Sequence, residues 1–325
     1  MLVSIVIPCY NSELTIEKVV DLCVEEFDRL DGYECEFVLV NDHSRDKTYE
    51  AICRAAAKYP FVKGINLARN FGQHNAIMAG LHYTEGDLIM GMDDDLQTHP
   101  SQIPLLLHKM EEGYDIVYGI FKQRKFNWFK NFTSKFSRFI TGHLVSKPKG
   151  VSDSNYWVVR KYVRDEVIQY NSNEIYLQLL FYRTTSNIGN VEITHFEREV
   201  GESNYTFGKG FKLFMSFLNF TVLPLRAATF FGALFCMIGL ISGIVTIVHK
   251  LTDPTMVDGY ASIMTAILIF FGFSFLMLGV IGEYLGNLIL TATRTPQYVI
   301  RESVNIDGAA ESDLPSARSS EDERQ

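Results

Sequence analysis

The chain has 325 residues, 47% of them hydrophobic and 21% charged, with a mean hydropathy of +0.04. That value is high for a soluble enzyme and low for a many-span transporter, and the apolar content excludes disorder over most of the length; a soluble domain joined to a short membrane part is expected. The net charge of −8 is unevenly placed: residues 1–120 carry net −11, residues 121–301 net +8 and residues 302–325 net −5.

Residues 1–120 alternate two periodicities. Leu2–Ile7 is an apolar run ended by Pro8, and Ser12–Leu30 has helical spacing with Ser12 placed to cap it. Phe37–Val40 reads as a buried strand, Ser44–Lys58 as a helix, Val62–Leu67 as a strand and Gln73–Tyr83 as a helix. Leu88–Met92, Ser101–Glu112 and Ile116–Ile120 continue the pattern as strand, helix and strand. This order predicts an α/β domain with a mostly parallel sheet, whose ligands bind at the carboxyl ends of the strands. Those ends hold Pro8–Asn11, Asn41–Ser44 and Met92–Gln97.

In residues 121–150, Phe126, Trp128, Phe129, Phe132, Phe136 and Phe139 interleave with lysines and arginines, without a single Asp or Glu. Such a segment suits a helix lying in a membrane interface; the alternative is a solvated helix packed on the domain. Nucleic acid is not expected as a partner, because the preceding acidic domain repels a polyanion. Residues 227–248 and 261–282 are two stretches of 22 residues without a formal charge. Each is about 33 Å long as a helix, enough for a bilayer core of about 30 Å. Positive charges flank the pair while the loop between them holds only Lys250, so the positive-inside rule places both ends in the cytoplasm. Residues 206–226 are then a juxtamembrane amphipathic segment. Gly239–Gly243 and Gly282–Gly286 have the small-xxx-small spacing that permits helix contact, and thus a homo-oligomer through the membrane helices. Residues 303–325 are Ser-, Ala- and acid-rich, and are expected to be a disordered tail. Five cysteines without a CxxC pair argue against a disulfide framework or a zinc site, and no signal peptide is read at the N-terminus.

The strongest chemical signal is Met92-Asp93-Asp94-Asp95-Leu96-Gln97, directly after a buried strand. Adjacent carboxylates repel unless a cation holds them, and carboxylate with amide oxygen suits Mg2+ or Mn2+. The competing reading is an acidic N-cap cluster before Pro100. Asp42 is placed either to accept from a nucleobase N–H or to cap the next helix. No GxGxxG follows the first strand and no GxxxxGK[ST] occurs, which argues against a dinucleotide dehydrogenase and a P-loop NTPase. His43, His74 and His99 lack metal-ligand spacing and read as structural or peripheral.

Taken together, the blocks VSIVIPCYNSE, VLVNDHSRDKT, LARNFGQHNAIMAGL, MDDDLQTHP, REVGESNY, GEYLGN and TPQYVIRE resemble family-2 glycosyltransferases of the polyprenyl-phosphate type, from Leu2 to about Arg301. Asn41 stands where the family has an acid, His43 where it has glycine, Asn204 where it has lysine, and Phe121 where it has a first acceptor arginine. The resemblance implies a GT-A type, Rossmann-like nucleotide-sugar domain over residues 1–205, followed by interfacial helices and two transmembrane helices. It implies that Pro8, Tyr10, Asn11, Glu13, Asp42 and Asp93 bind the nucleotide, and that Asp93 and Asp95 form the DxD metal site with Gln97 completing the shell. Arg124, Ser134, Lys135 and Arg198 would hold the acceptor lipid phosphate, and Asp153 matches the family's acid near the sugar. The implied activity is inverting, metal-dependent transfer of a sugar from a nucleotide sugar, a UDP-sugar by bacterial resemblance, to polyprenyl phosphate at the cytoplasmic face of a bacterial membrane, for envelope glycosylation. A processive polysaccharide synthase would need a QxxRW motif and more spans, and neither is in the sequence. A non-catalytic membrane-anchored binding module would tolerate loss of the acidic cluster, which is intact.

Overall fold

The computed structural model describes residues 1–121, 150–170, 175–194, 196, 259 and 296–306, with scattered positions between 263 and 288. Arg124, Ser134, Lys135 and Arg198, the first span 227–248, the juxtamembrane segment and residues 307–325 lie outside the described residues. The chain divides into two compact units, Met1–Asn204 with Arg294–Gln325, and Tyr205–Thr293.

The first unit is built on strands β1 (Leu2–Cys9), β2 (Glu34–Asn41), β3 (Val62–Leu67), β4 (Leu88–Gly91), β5 (Ile116–Phe121), β6 (Trp157–Arg160), β7 (Ile188–Ile193) and β8 (Ile300–Val304). They form one sheet in the order β7-β5-β6-β4-β1-β2-β3-β8. The β1–β2, β2–β3, β1–β4 and β5–β7 pairs are parallel; β4–β6, β5–β6 and β3–β8 are antiparallel. The helices are α1 (Ile16–Phe27), α2 (Thr48–Lys58), α3 (Gln73–Leu81), α4 (Ile103–Glu111), α5 (Lys161–Val167) and α6 (Leu177–Thr184). The central strands read as near-continuous apolar runs because both sheet faces are covered: Val3, Ile5, Val6 and Ile7 of β1 are fully buried. Helix α1 buries Ile16, Val19, Val20, Cys23 and Phe27 at three- and four-residue spacing. Its outer face pairs with α2 through Glu17–Arg54 (2.7 Å) and Asp21–Lys58 (2.8 Å), exposed contacts worth about 1 kcal/mol at most.

Two helix starts differ from the expected ones. Helix α1 is capped at Thr15 rather than Ser12, and α2 begins at Thr48 rather than Ser44. The Ser12 hydroxyl bonds to Asp94 and that of Ser44 to Asn41 instead, while Asp46 Oδ1 accepts from Thr48 N–H at the start of α2. Strand β8 includes Ser303 and Val304, which the sequence pattern assigned to the tail. Among the described residues, no helix is long and apolar enough to cross a membrane.

Candidate active site

Because β2 and β3 lie on one side of β1 and β4 on the other, the strand order reverses at β1/β4, and a crevice opens above their carboxyl ends. The loops leaving β1, β2 and β4 each contain one non-glycine residue in the left-handed region: Asn11 (φ 58°), His43 (φ 55°) and Leu96 (φ 60°). A short polar side chain tolerates that conformation. For leucine it costs about 1–2 kcal/mol, which burial of Leu96 to 2% exposure offsets.

The β1 and β2 loops are laced together. Asn11 N–H donates to Ser44 Oγ (3.0 Å), and Asn11 Oδ1 accepts from Arg45 N–H (3.1 Å). Ser12 N–H donates to Thr48 Oγ1 (2.8 Å), and Glu13 Oε2 accepts from Lys47 N–H (3.2 Å). Pro8 sits in β1 opposite Val40 of β2. Tyr10 remains 45% exposed. Asp42 is buried, and its two oxygens accept from Phe71 N–H (2.7 Å) and Gly72 N–H (2.9 Å) at the start of α3. Burial pushes its carboxyl up, against the pull of those two amides. Gly72 permits this turn with φ at 89°. Asp42 therefore clamps the start of α3; it does not cap the helix that follows β2, the role that its second sequence reading expects.

The acidic run at the end of β4 is divided between tasks. Asp94 Oδ2 accepts from Ser12 Oγ and from Tyr10 N–H (3.3 Å), joining the β4 and β1 loops. Asp93 is half-buried and is held by Gln73 Nε2 (2.7 Å) and Asn155 Nδ2 (3.2 Å). Asp95 Oδ1 accepts from the backbone N–H of Gln97 (3.1 Å). Burial first, and then the charge on Asp95, push the Asp93 carboxyl up to about 7. Two half-buried carboxylates two residues apart at a strand end form a hard-oxygen donor set that fits a divalent cation. Among the described residues no three His, Cys, Asp or Glu side chains converge as a complete metal cluster.

Asp153 is exposed and lies beside Tyr182; burial first, and then the Asp153 charge, push that phenol up. His74 packs edge-on against Tyr176 at 4.9 Å, and burial alone lowers its imidazole to about 4, so it is neutral. His99 caps the turn before α4, its Nδ1 accepting from Ser101 N–H (3.2 Å). Both histidines are structural, as read from sequence. Sequence reasoning did not single out Gln73, Asn155, Ser12 or Ser44 as site residues. Gln73 could have been found, since it follows the glycine that opens α3; Asn155 comes from a loop 62 residues away from Asp93 and has no local signal.

The fold is of the GT-A type, an open, mostly parallel sheet with acidic residues at its switch point. Residues 4–169 match glycosyl transferase family 2, and residues 223–288 match the GtrB C-terminal hairpin. This chain belongs to glycosyltransferase family 2 and is a glycosyltransferase. It is 32% identical over 311 residues to the undecaprenyl-phosphate 4-deoxy-4-formamido-L-arabinose transferase of Edwardsiella ictaluri, covering 93% of this chain and 94% of that one. It is 33% identical over 308 residues to the transferase of the same name from Shewanella sediminis, covering 92% of each chain. The fold is similar to glucosyl-3-phosphoglycerate synthase from Mycobacterium tuberculosis, solved with phosphoglyceric acid, at a TM-score of 0.50 and 18% identity over 67% of this chain and 79% of that one.

Proposed function

We propose that this enzyme transfers a sugar from a nucleotide sugar to a membrane polyprenyl phosphate such as undecaprenyl phosphate, at the cytoplasmic face of a bacterial membrane. The observation that carries this reading is similarity along nearly the whole chain, hairpin region included, to transferases named for that acceptor. Asp93 and Asp95, with Gln97, would hold a divalent cation, Mg2+ or Mn2+, in the manner of sites where one or two carboxylates share the ion with substrate phosphates. When bound, the cation neutralises charge developing on the leaving pyrophosphate. Gln73 and Asn155 orient Asp93, while Asp94 locks the acid loop to the β1 loop. Pro8, Tyr10, Asn11, Glu13 and Asp42 form or support the donor pocket, and Asp153 lies on the sugar side. Arg124, Ser134, Lys135 and Arg198 grip the acceptor phosphate, arginine doing so with a planar two-pronged fork. That phosphate is largely dianionic at neutral pH, so the nucleophile needs positioning rather than a dedicated base. Direct displacement inverts the anomeric centre.

The membrane placement draws support from residues 263–288. The described positions there are helical, and Ile263, Phe270, Leu278, Leu285 and Leu288 are more than half exposed. Large apolar side chains repeated on an exposed helix face are what lipid contact requires. Purified protein in detergent is to be assayed with undecaprenyl phosphate and a panel of nucleotide sugars, the 4-deoxy-4-formamido-L-arabinose donor included. A glycosylated lipid phosphate, lost on EDTA treatment, is the expected product by mass spectrometry. No lipid-linked product from any donor would overturn the reading.

A further inference from the structure

A chain of hydrogen bonds crosses the sheet from the strand that follows the hairpin to the loop after β1. Glu302 Oε1, on edge strand β8, accepts from Asn66 Nδ2 of β3 (2.6 Å). Asn66 Oδ1 accepts from Asn41 Nδ2 of β2 (2.8 Å). Asn41 Oδ1 accepts from Ser44 Oγ (2.5 Å) and Ser44 N–H (3.2 Å), and Ser44 Oγ accepts from Asn11 N–H (3.0 Å). Both asparagines are buried, at 4% and 8% exposure, so water cannot replace a lost partner.

The polarity of this chain is fixed at its two ends, by the Glu302 carboxylate, which only accepts, and by the Ser44 backbone N–H, which only donates. An asparagine amide offers a donor end and an acceptor end of nearly equal shape, whereas an ionised carboxylate only accepts. Glu302 therefore compels Asn66 to turn its NH2 outward. That leaves Oδ1 for Asn41, whose own Oδ1 then faces Ser44. Ser44, donating both its protons to that oxygen, keeps a lone pair for Asn11, the residue held at φ 58°. With the chain reversed, Asn41 would present NH2 to the Ser44 N–H and leave it unpaired. The register that brings Glu302 opposite Asn66 is pinned at both ends: Ala68 N–H donates to Val299 O (2.8 Å), and Asn305 Nδ2 donates to Ala56 O (3.0 Å) and Val62 O (2.9 Å).

We infer that Glu302 is a positioning residue for the donor nucleotide. By fixing the direction of the Asn66–Asn41–Ser44 chain from beyond the hairpin, it sets the conformation of the Tyr10–Glu13 loop. The inference rests on reading that loop as part of the donor site. It also accounts for Asn41 where an acid is usual in the resemblance: an aspartate there cannot donate to Asn66 Oδ1. It would compete with Glu302 for the single NH2 of Asn66.

The test uses the full chain in detergent, with UDP and Mn2+ as calorimetric probe and hydrogen exchange by mass spectrometry as a readout independent of ligand. Glu302→Ala is expected to raise exchange in the segments around residues 10–13 and 43–48 and to weaken UDP binding about tenfold, the scale of one hydrogen bond to a charged group. The KM for polyprenyl phosphate should stay at the wild-type value. Glu302→Gln keeps an acceptor and should bind within about threefold of wild type. Asn41→Asp should weaken binding as Glu302→Ala does. The double variant Asn41→Asp/Glu302→Gln should recover most of it. There the glutamine can donate to Asn66 Oδ1 and let the chain run in reverse, Asn66 donating to the introduced carboxylate, whose second oxygen still accepts from Ser44. A double variant no better than Asn41→Asp, or unchanged loop exchange in Glu302→Ala, overturns the inference. If exchange responds as expected while wild-type protein binds no UDP, the relay stands as loop positioning and the donor-site reading is what fails.

Discussion

Asp93, Asp94 and Asp95 are adjacent in sequence but face different partners. Asp94 takes hydrogen bonds from Tyr10 and Ser12, so Asp94→Asn removes a charge-assisted contact between two loops. It should cost about 1–2 kcal/mol of stability while leaving Mn2+ binding, followed by electron paramagnetic resonance, in place. Asp93→Asn or Asp95→Asn should abolish both Mn2+ binding and transfer; equal loss in all three would show that Asp94 is also a ligand. The sequence marked the acid run without revealing this division, because the partners of Asp93 and Asp94 lie 20 to 84 residues away. His74 gives a pH prediction. Its ordinary value is 6.5 and burial takes it to about 4 in the folded state. The unfolded chain takes up the proton first, so this contribution is whole above pH 6.5 and is lost as pH falls towards 4, by roughly 3 kcal/mol at most. Denaturant melts of wild type and His74→Phe should diverge over that window, and parallel pH curves would refute the assignment of the buried neutral imidazole.

At the scale of elements, periodicity located the early strands and helices well. Val62–Leu67 has the same limits in sequence and structure, and the other strands up to β5 differ by a few residues, while β6 and β7 carried no sequence prediction. Both displaced helix starts have their serine hydroxyl engaged elsewhere: Ser12 in a tertiary hydrogen bond to Asp94, Ser44 in a local one to Asn41 Oδ1 three residues back. Strand β8 was not legible, since Ile300–Val304 is a short, half-exposed edge strand whose partner lies more than 230 residues earlier. Gly91 ends β4 two residues before Asp93, and the Trp157 indole fills the space where its side chain would be. A Cβ there would lie 2.3 Å from the ring. Trp157 is fully buried and also packs edge-on against Phe181 at 5.0 Å, so it has nowhere to retreat. Gly91→Ala should therefore destabilise the protein by about 1–3 kcal/mol through overpacking. Thermal melts measure the loss, and Trp157 fluorescence should shift with it. A variant as stable as wild type would mean that β4 yields more freely than this packing implies.

The organisation of the whole molecule constrains its topology more tightly than composition does. Compact unit 1 contains both Met1–Asn204 and Arg294–Gln325, and β8 pairs with β3 inside one sheet. The chain therefore leaves and re-enters the same domain around residues 205–293, and any crossing of a bilayer between them must occur an even number of times. Two uncharged stretches of 22 residues lie in that interval, and residues 223–288 match a hairpin family. The charge pattern supplies the direction: Lys209, Lys212 and Arg226 precede the first stretch and Arg294 and Arg301 follow the second, against Lys250 alone in the loop. A reporter fused after Asn305, beyond β8, should report the cytoplasm, and one inserted beside Asp258 should report the far side of the membrane. Placing the first fusion after the strand matters, because a fusion within Ile300–Val304 would interrupt the β3–β8 pairing. A cytoplasmic signal at Asp258 with an intact, active enzyme would remove the two-span arrangement and leave a hairpin lying in one leaflet, which equally returns the chain to β8. Opposite compartments for Met1 and Asn305 are forbidden by the β3–β8 pairing, so that outcome would overturn the edge strand itself.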